Sequence, residues 1–422
     1  MVYDVAIVGG GFSGLCAAVM LTMAKINNIA VFDANKRIGK KILATGNGQG
    51  NLTNADMSLA HYHGDASFAA DALGRFGKSA ILGFFGDLGL LTSEKEGKIY
   101  PANFCASSIL DVLRFAISED LPVFTETRIS DISKEKGNFV LKAADGKEFF
   151  AEKVVLAFGG SSGDGFSTDG KSYALAEKFG HKTTTLAPSL VQLKTEREKI
   201  RGLKGIKQSV RATLYDGDRA VKSFAGDLLF TDYGISGNAI FSLSAYLKGL
   251  KKPTVKIEFL PDKPLELLEK NLIEKVAKLK KSDRTCERLM ISVLPKNLAK
   301  NVAESCEITL GDTVDEKSAK SLAVAIKNFD LKVEGTAGFA AAQVTAGGIE
   351  CRDVNAESMQ SKLCDGLYIV GEALNVDGDC GGYNLQWAFS SAAACTSDLA
   401  AKLKNGGAAA KKQAKNKYEK DR

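Results

Sequence analysis

The start of the chain contains the pattern that most restricts its fold. A short apolar run (3–8) leads into a cluster of glycines (9–14), which is followed by a helix-forming segment (15–25) and a second apolar run (29–33). A strand, a tight turn, a helix and another strand in this order predict a parallel βαβ unit. The sequence therefore predicts an α/β fold that is built on a parallel sheet.

The glycine cluster fits the spacing GxGxxG, with Gly9, Gly11 and Gly14 at its three glycine positions. Such glycines allow a tight turn, the approach of a diphosphate to the backbone, and close packing of helix on sheet. Asp33 lies 24 residues after Gly9, at the end of the second strand, where a carboxylate can accept hydrogen bonds from ribose hydroxyls. A turn with a purely structural role is the alternative, but Asp33 favours a dinucleotide and its charge disfavours NADP.

A second glycine motif near the other end of the chain indicates which dinucleotide, FAD or NAD, the chain binds. The strand-like run 366–370 ends in Gly371-Glu372, and the segment DCGGYN at 379–384 precedes the helix-like run 385–402. A second helix N-terminus suits the anionic part of a reduced flavin or its ribityl-phosphate arm. NAD needs no such motif, so the sequence predicts FAD.

The middle of the chain has two different patterns. Short alternating runs between about 190 and 262 predict a small antiparallel β unit, whereas 261–329 is rich in Leu, Lys and Glu at helical spacing. With 422 residues, 45% of them apolar and 25% charged, the chain is expected to form two or three packed domains.

Several long segments resemble the BaiN-like or aminoacetone oxidase-like family of bacterial FAD-dependent oxidoreductases. They are DVAIVGGGFSGL, GKKILATGNGQGNLTN, VVLAFGG, FGHKTTTLAPSLVQL, GDLLFTDYGISG, VTAGGI and GLYIVGEALNVDGDCGGYNLQWAFSS. The resemblance implies a glutathione-reductase-like, two-part FAD-binding Rossmann domain that is interrupted by an inserted β-barrel-like unit and a helical unit. The expected boundaries are 1–189 and 336–405 for the FAD domain, 190–262 for the barrel, 263–335 for the helices and 406–422 for a basic flexible tail.

The motifs and the resemblance together assign a set of cofactor-binding candidates. They are Gly9, Gly11, Phe12, Ser13, Gly14, Asp33, Lys41, Gly46, Asn47, Gly48, Asn51, Gly159, Gly371, Glu372, Gly381, Gly382, Tyr383 and Asn384. Catalytic residues stay unknown, with Cys380 and Tyr383 as weak candidates. Each has a plainer alternative: packing for Cys380, turn formation or capping for Tyr383 and Asn384, a surface loop for 45–54, and a buried strand end for Gly159.

The chain departs from its relatives at one place within the loop 45–54. Relatives commonly carry Arg-Cys where this chain has Gln49-Gly50. A charge and a thiol are therefore missing beside the expected flavin region.

His61, His63 and His181 are the only histidines, and the triplet His61-Tyr62-His63 suggests a metal or an acid/base role. No metal site is expected, because nothing at metal-ligand spacing completes one. The eight cysteines are scattered without a CxxC pair, which is typical of reduced thiols. There is no signal-like N-terminus and no apolar run long enough to span a membrane, so a cytoplasmic location without membrane insertion is expected. The net charge is +6, but Lys and Arg are scattered through the chain and become dense only in its last dozen residues, so nucleic acid is not expected as a partner.

These observations predict an FAD-dependent oxidoreductase that acts on a small organic molecule. The resemblance implies either oxidation of an amine or reduction of an activated C=C bond. NADH or NADPH is a candidate transient electron donor, although no second GxGxxG is evident. The alternatives are a flavoprotein that acts on or with RNA or a protein partner, and one in which FAD has a structural or sensing role.

Overall fold

The computed structural model of the chain describes residues 1–26, 28–117 and 120–420, with side chains through residue 405. The chain forms two compact units. Unit 1 comprises Met1–Pro188 and Gln343–Arg422, and unit 2 comprises Ser189–Ala342. Unit 1 is therefore assembled from both ends of the chain.

The strands of the described residues, in chain order, are β1 (Val2–Val8), β2 (Ile29–Phe32), β3 (Thr53–Asn54), β4 (Tyr62–Gly64), β5 (Thr92–Lys95), β6 (Lys98–Pro101), β7 (Val123–Phe124), β8 (Ile129–Glu135), β9 (Asn138–Ala143), β10 (Glu148–Leu156), β11 (Ala187–Ser189), β12 (Leu193–Thr195), β13 (Lys207–Asp216), β14 (Arg219–Phe230), β15 (Gly234–Ser236), β16 (Pro253–Phe259), β17 (Phe329–Thr336), β18 (Val344–Ala346), β19 (Leu367–Ile369) and β20 (Val376–Gly378).

The α-helices are α1 (Phe12–Met23), α2 (Ala70–Arg75), α3 (Lys78–Asp87), α4 (Ala106–Ala116), α5 (Tyr173–Glu177), α6 (Asn238–Ser244), α7 (Leu265–Lys278), α8 (Cys286–Met290), α9 (Lys296–Glu304), α10 (Glu316–Lys327) and α11 (Tyr383–Lys420). Short 3-10 segments cover Ile42–Gly48, Leu59–His61, Ala66–Ala69, Glu198–Ile200, Lys281–Asp283, Phe339–Ala341, Cys351–Asp353 and Gly371–Ala373.

The main sheet of unit 1 has the strand order β7-β2-β1-β10-β9-β8, and β19 also pairs with β10. The pairs of β1 with β2 and β10, of β2 with β7 and of β10 with β19 are parallel, while β8, β9 and β10 form an antiparallel meander. The βαβ unit predicted at the start of the chain is thus present. Its parallel strands direct their carboxyl ends to one edge of the sheet, which is where α/β folds bind ligands.

Burial explains why the sequence around β1 and α1 is so apolar. All of β2 (Ile29–Phe32) and the end of β1 are buried, and most of α1 is buried as well. A parallel sheet that is covered on both faces needs such continuous apolar runs. In this unit α11 packs along α1, so the last helix of the chain covers the first.

In unit 2, β12, β15, β14, β13, β16 and β17 form a closed barrel in that order, which confirms the predicted barrel-like unit. Val210, Ala212 and Leu214 alternate with exposed or partly exposed residues along β13, as a strand with one buried face requires. The helices α7–α10 follow within the range expected to be helical, but that range needs a correction at its end. Strand β17 belongs to the barrel, and the period-two burial of Phe329 and Leu331 marks it as a strand.

The C-terminal helix α11 extends to Lys420, well beyond residue 402, where the helix-like run was predicted to end. The side chains of 406–422 lie outside the described residues, so the flexible basic tail stays a prediction. None of the helices described here is long and apolar enough to cross a membrane.

Candidate functional site

The first glycine turn joins β1 to α1 and is closed by backbone atoms on two sides. A Cβ added at Gly9 would lie 2.2 Å from the carbonyl oxygen of Ala157, and one added at Gly14 would lie 1.9 Å from the carbonyl oxygen of Gly9. Around Gly11, the N-cap of α1, no described atom lies within 4 Å of an added Cβ. The turn is therefore packed where it meets the sheet and open where a diphosphate would approach.

Asp33 follows β2 and directs its carboxylate back to this turn. Its Oδ2 accepts a hydrogen bond from the amide of Gly10 at 2.9 Å, and its Oδ1 accepts from the backbone and side-chain amides of Asn35 at 2.7 and 3.0 Å. A carboxylate has about four acceptor positions, so Asp33 can hold the turn and still accept a hydrogen bond on Oδ2.

The two candidates at the start of α1 have different surroundings. The ring of Phe12 stacks on Phe85, with 5.8 Å between the centroids, so this side chain belongs to the core. Ser13 faces the other end of the chain, because a Cβ added at Gly371 would lie 2.8 Å from the Ser13 hydroxyl oxygen. Trp387 of α11 donates from Nε1 to the carbonyl oxygen of Gly371 at 3.1 Å. The two glycine motifs therefore meet at Ser13 and Gly371.

Lys41 and Glu372 form an ion pair, with 2.8 Å between Nζ and Oε2. Lys41 also donates to the hydroxyl of Ser162 at 2.8 Å, and Glu372 accepts on Oε1 from that hydroxyl at 3.0 Å and from the Thr345 amide at 2.8 Å. Gly159 lies beside this cluster, since its added Cβ would be 3.9 Å from Oε2 of Glu372. Ser162 and Thr345 were not predicted, although Ser162 follows the VVLAFGG segment and Thr345 lies within VTAGGI.

The segment that was predicted to contact the flavin folds around Asn51. Gly46 packs so closely on it that an added Cβ would lie 2.9 Å from the Asn51 amide nitrogen. Asn47 is exposed and Gly48 is half-buried in the same turn. The side-chain oxygen Oδ1 of Asn51 is buried and has no hydrogen-bond partner among the described residues. An unpaired buried acceptor costs about 1–3 kcal/mol, so this oxygen suits a donor group on a ligand.

The structure gives a reason for the glycine at position 50. Gly50 has φ +73°, and a Cβ added there would lie 2.8 Å from Cδ1 of Ile109 and 2.9 Å from Cα of Ala106. Both neighbours belong to α4, so this chain has no room at position 50 for the cysteine that the family resemblance implies there. Gln49, by contrast, is exposed.

The second glycine turn, before α11, closes on the segment that contains Asn51. A Cβ added at Gly382 would lie 2.6 Å from the carbonyl carbon and oxygen of Thr53 and 2.8 Å from Oδ1 of Asn51. Asn54 donates from Nδ2 to the carbonyl oxygen of Gly381 at 2.8 Å. This turn thus lies directly beside the unpaired acceptor of Asn51.

The remaining candidates in this turn have distinct environments. Asn384 accepts from the amide of Gly378 at 2.9 Å and donates to its carbonyl oxygen at 2.8 Å, so its side chain ties the turn together. Burial raises the pKa of the Cys380 thiol, which disfavours the thiolate that redox chemistry requires. Burial and the nearby carboxylates raise the pKa of Tyr383, so its hydroxyl stays protonated and can donate a hydrogen bond.

A cluster of which the sequence indicated only the two histidines lies beside the same turn. The buried carboxylate of Asp379 contacts two imidazoles, with 3.0 Å from Oδ2 to Nδ1 of His61 and 2.8 Å from Oδ1 to Nε2 of His63. The other ring nitrogen of His61 lies 3.2 Å from Oδ2 of Asp56, and the ring stacks on Tyr383 at 4.5 Å between centroids. Burial opposes ionisation of Asp379, but the hydrogen bonds from His63 and His61 outweigh it and hold its pKa below the usual range. The described residues contain no group of three or more His, Cys, Asp or Glu side chains that could hold a metal ion.

Tertiary pairing brings this cluster together. Strand β4 pairs with β20 in antiparallel register, which places His63 opposite Asp377 and Tyr62 opposite Gly378. The only sequence signal was the His61-Tyr62-His63 triplet itself. Its carboxylate partner is 318 positions from His61 along the chain.

Comparison with known proteins gives matches along almost the whole chain. Residues 3–398 match the family described as "HI0933-like protein Rossmann domain". A 3-dehydro-bile acid delta(4,6)-reductase of Clostridium scindens is 36% identical over 396 residues, which are 92% of this chain and 96% of the relative. Two proteins named ribosomal RNA dihydrouridine synthase also match: that of Haemophilus influenzae is 32% identical (92% and 96% covered), and that of Escherichia coli is 28% identical (94% and 98% covered).

Proposed function

The chain belongs to the HI0933-like Rossmann family of BaiN-like flavoproteins, and we propose that it uses FAD to reduce a C=C bond conjugated to a carbonyl group in a small organic molecule. The observation that carries the proposal is a shared chemistry in the names of its relatives. A 3-dehydro-bile acid delta(4,6)-reductase reduces C=C bonds near a ketone, and dihydrouridine is uridine whose ring C=C bond, conjugated to a carbonyl, has been reduced. Reduction of either kind of substrate needs a hydride, which is one hydrogen with its electron pair, and a proton.

The residues present fit FAD on two observations. The space in front of Gly11 is open, whereas Gly9 and Gly14 are packed against backbone, and the buried Oδ1 of Asn51 lacks a donor among the described residues. In the proposal, the turn at Gly11 and the N-terminus of α1 hold the diphosphate, and Asp33 accepts from the adenosine ribose. When bound, FAD supplies the two-electron transfer.

Further assigned residues complete the proposed site on the flavin side. The charges of Lys41 and Glu372 neutralise each other, so the pair offers no net charge to attract an anion. We therefore assign both side chains to hydrogen bonding with the ribityl arm. Asn51 and the turn at Gly381 and Gly382 are assigned to the ring. The other candidates, Phe12, Ser13, Gly46, Asn47, Gly48 and Gly159, are proposed to contribute through their backbone or by shaping the cradle.

The proposal includes NADH or NADPH as the electron donor, bound transiently. It also includes a cytoplasmic location, which the eight free thiols favour because reducing compartments keep cysteines unpaired.

The first test concerns the cofactor and uses two matched variants. A Cβ added at Gly11 has nothing packed against it, so Gly11→Val should fold as the wild type does but lose FAD affinity by about 100-fold or more, about 2.7 kcal/mol or more. Gly86→Val in α3 is the control, because Gly86 is equally open but lies outside the proposed site. FAD binding is followed by quenching of flavin fluorescence. Equal FAD affinity in both variants would contradict the assignment of the diphosphate to the turn at Gly11.

The second test concerns the reaction and follows flavin absorbance anaerobically in a stopped-flow instrument. The FAD-loaded protein is mixed with NADH or NADPH, and the reduced protein is then mixed with 2-cyclohexenone or with a 3-oxo-4-ene bile acid. We expect bleaching by a nicotinamide and recovery of colour with an enone. Bleaching by aminoacetone, with peroxide formed on readmitting air, would instead indicate amine oxidation. Failure of every donor to bleach the flavin would favour a structural or sensing role.

RNA is a second candidate substrate because two relatives are named ribosomal RNA dihydrouridine synthase. The same reduced protein is mixed with ribosomal RNA transcripts and, in parallel, with free uridine. Recovery of colour with a transcript but not with an enone would assign RNA and overturn the small-molecule substrate.

A further inference from the structure

The cluster of Asp379, His61 and His63 has no part in the cofactor assignments above. We propose that the imidazoles of His61 and His63, both held by the carboxylate of Asp379, deliver the proton that completes reduction of the C=C bond. This inference rests on the proposed function and names the proton source for the same site.

The location of the cluster supports this role. Asp379 begins the segment that contains the second glycine turn, and its backbone amide donates to the carbonyl oxygen of His61 at 2.8 Å. Gly382 of the turn closes on Asn51, whose buried oxygen has no partner among the described residues. The imidazoles and the proposed flavin side of the site are therefore held by one short stretch of chain.

The hydrogen bonds supply a proton-donating form of the cluster. Ionised carboxylates only accept hydrogen bonds, so each contact to Asp379 needs a protonated ring nitrogen. His61 has carboxylate oxygens at both of its ring nitrogens, Asp379 at 3.0 Å and Asp56 at 3.2 Å. Only the doubly protonated imidazolium can donate to both at once, and that form has a proton to give.

The exposure of the two rings allows solvent to reprotonate them after each proton transfer. The side chain of Asp379 is 4% exposed, whereas those of His61 and His63 are 30% and 19% exposed. The carboxylate is thus fixed and shielded, while both rings are accessible to solvent. A group that gives up a proton in each turnover needs such access.

The other titratable groups around the rings do not compete as donors of a proton. Tyr383 stacks on His61, and Tyr62 donates from its hydroxyl to the carbonyl oxygen of Tyr383 at 3.2 Å. Burial raises the pKa of both phenols, which makes them weaker acids than an ordinary tyrosine. Asp56 and Asp379 have pKa values below the usual range: two hydrogen bonds lower that of Asp56, and those from His63 and His61 outweigh burial at Asp379. The imidazoles are therefore the groups of this cluster that we assign to proton transfer.

In the proposed step, the π bond of the substrate breaks. One carbon gains hydrogen with the electron pair of the reduced cofactor, and the other carbon gains the imidazolium proton. The cofactor is oxidised and the substrate is reduced by two electrons. The neutral imidazole then takes a proton from water.

A purely structural clamp is the competing explanation, because the same hydrogen bonds would also hold the turn before α11. The two roles differ in what they affect. A clamp supports cofactor binding and every step at the cofactor, whereas a proton donor affects only the step in which the substrate is reduced.

The first experiment examines the cluster in the protein without FAD. The chain has three histidines, so NMR of 15N-histidine-labelled protein is tractable. We expect slowly exchanging, downfield imidazole N–H signals from His61 and His63 that are lost in Asp379→Asn. His181, whose Nε2 lies 2.7 Å from the hydroxyl oxygen of Ser361, is the internal reference. Absence of both carboxylate-bonded signals in the wild type would overturn the inference.

The second experiment separates the half-reactions in the FAD-loaded protein. The double variant His61→Gln/His63→Gln should reduce 2-cyclohexenone about 100-fold more slowly or worse, while reduction of its flavin by dithionite and its FAD affinity stay within about threefold of wild type. The single variants then identify the donor ring, and His181→Gln, which lies outside the cluster, should match the wild type in both half-reactions.

Two outcomes would overturn the proton-donor role. One is an oxidative half-reaction that stays within about threefold of wild type in the double variant. The other is a parallel loss of FAD affinity and of both half-reactions, which would identify a clamp. If instead the wild type itself fails to reduce any C=C probe, the proposed function fails and the inference falls with it. The wild-type measurement alone reveals that failure, so it is distinguished from a failure of the proton-donor role, which only the histidine variants reveal.

Discussion

Two glycine turns precede helices of the same unit, and they close on different partners. The turn before α1 is packed against Ala157, which follows β10, and against its own Gly9, and it leaves Gly11 open. The turn before α11 is packed against Thr53 and Asn51, which belong to the opposite end of the sequence. The first turn can therefore be recognised from its own spacing, whereas the second depends on a segment that its sequence does not indicate.

The largest expected effect concerns the first turn. Gly14→Ala would place a Cβ 1.9 Å from the carbonyl oxygen of Gly9 in the same turn, so we expect a loss of about 3 kcal/mol in the free energy of unfolding. Urea denaturation measures this loss. Gly11→Ala is the matched control, because its Cβ meets no described atom, and it should change stability by less than about 0.5 kcal/mol. Equal losses in both variants would contradict the packing of this turn.

The next prediction concerns the segment on which the second turn closes. Gly50→Cys introduces the cysteine that the family resemblance implies, but it does so at φ +73° and within 2.9 Å of α4. We expect a loss of about 1–3 kcal/mol because α4 must shift to make room. Gln49→Arg, at the adjacent exposed position, should stay within about 0.5 kcal/mol. A Gly50→Cys protein as stable as the wild type would show that the segment can shift to accommodate a side chain beside α4.

A smaller effect is expected where the two ends of the chain form an ion pair. A double-mutant cycle with Lys41→Met and Glu372→Gln should give a coupling of about 1–2 kcal/mol, because the pair is neither fully exposed nor fully buried. The free energy of unfolding is measured for all four proteins. The exposed pair of Lys320 with Glu316 is the control and should couple by less than about 1 kcal/mol. Equal coupling energies would mean that the partly buried surroundings of Glu372 do not strengthen its ion pair with Lys41.

The smallest expected effect is a pH dependence at the second turn. The pKa of Asp379 is lower in the folded protein than in an unfolded chain, so its ionised form stabilises the fold at pH values above the unfolded value of about 3.9. That stability is lost as the pH falls through the folded pKa. Thermal unfolding of the wild type should therefore be more sensitive to acid than that of Asp379→Asn. Identical acid sensitivity would contradict the hydrogen bonds from the two imidazoles, and Asp87→Asn, at an exposed helix end, controls for loss of a carboxylate.

Much of the fold could be predicted because its signals are local. The barrel follows from short alternating runs such as that of β13. Strand β17 was missed because it directly follows a helical region, although Phe329 and Leu331 alternate with exposed residues. The helix-like run at the C-terminus was recognised, but its length was underestimated.

The candidate site could be predicted only in part. Motifs indicated Gly9, Gly14 and Asp33, and the structure brings all three to one turn. They did not indicate Ser162 and Thr345, which hold Glu372, because a serine and a threonine beside glycines are common in any loop. The assignment of the cofactor-binding residues stays a prediction until FAD binding is measured.

The sequence by itself determined the βαβ unit and the need for glycine at position 14, because the atom that excludes a side chain at Gly14 belongs to Gly9 of the same turn. Tertiary structure alone decided which groups face one another. Lys41 meets Glu372 across 331 positions, and His63 meets Asp379 across 316. Such partners are set by the pairing of β4 with β20 and of β19 with β10, and no local spacing encodes that pairing.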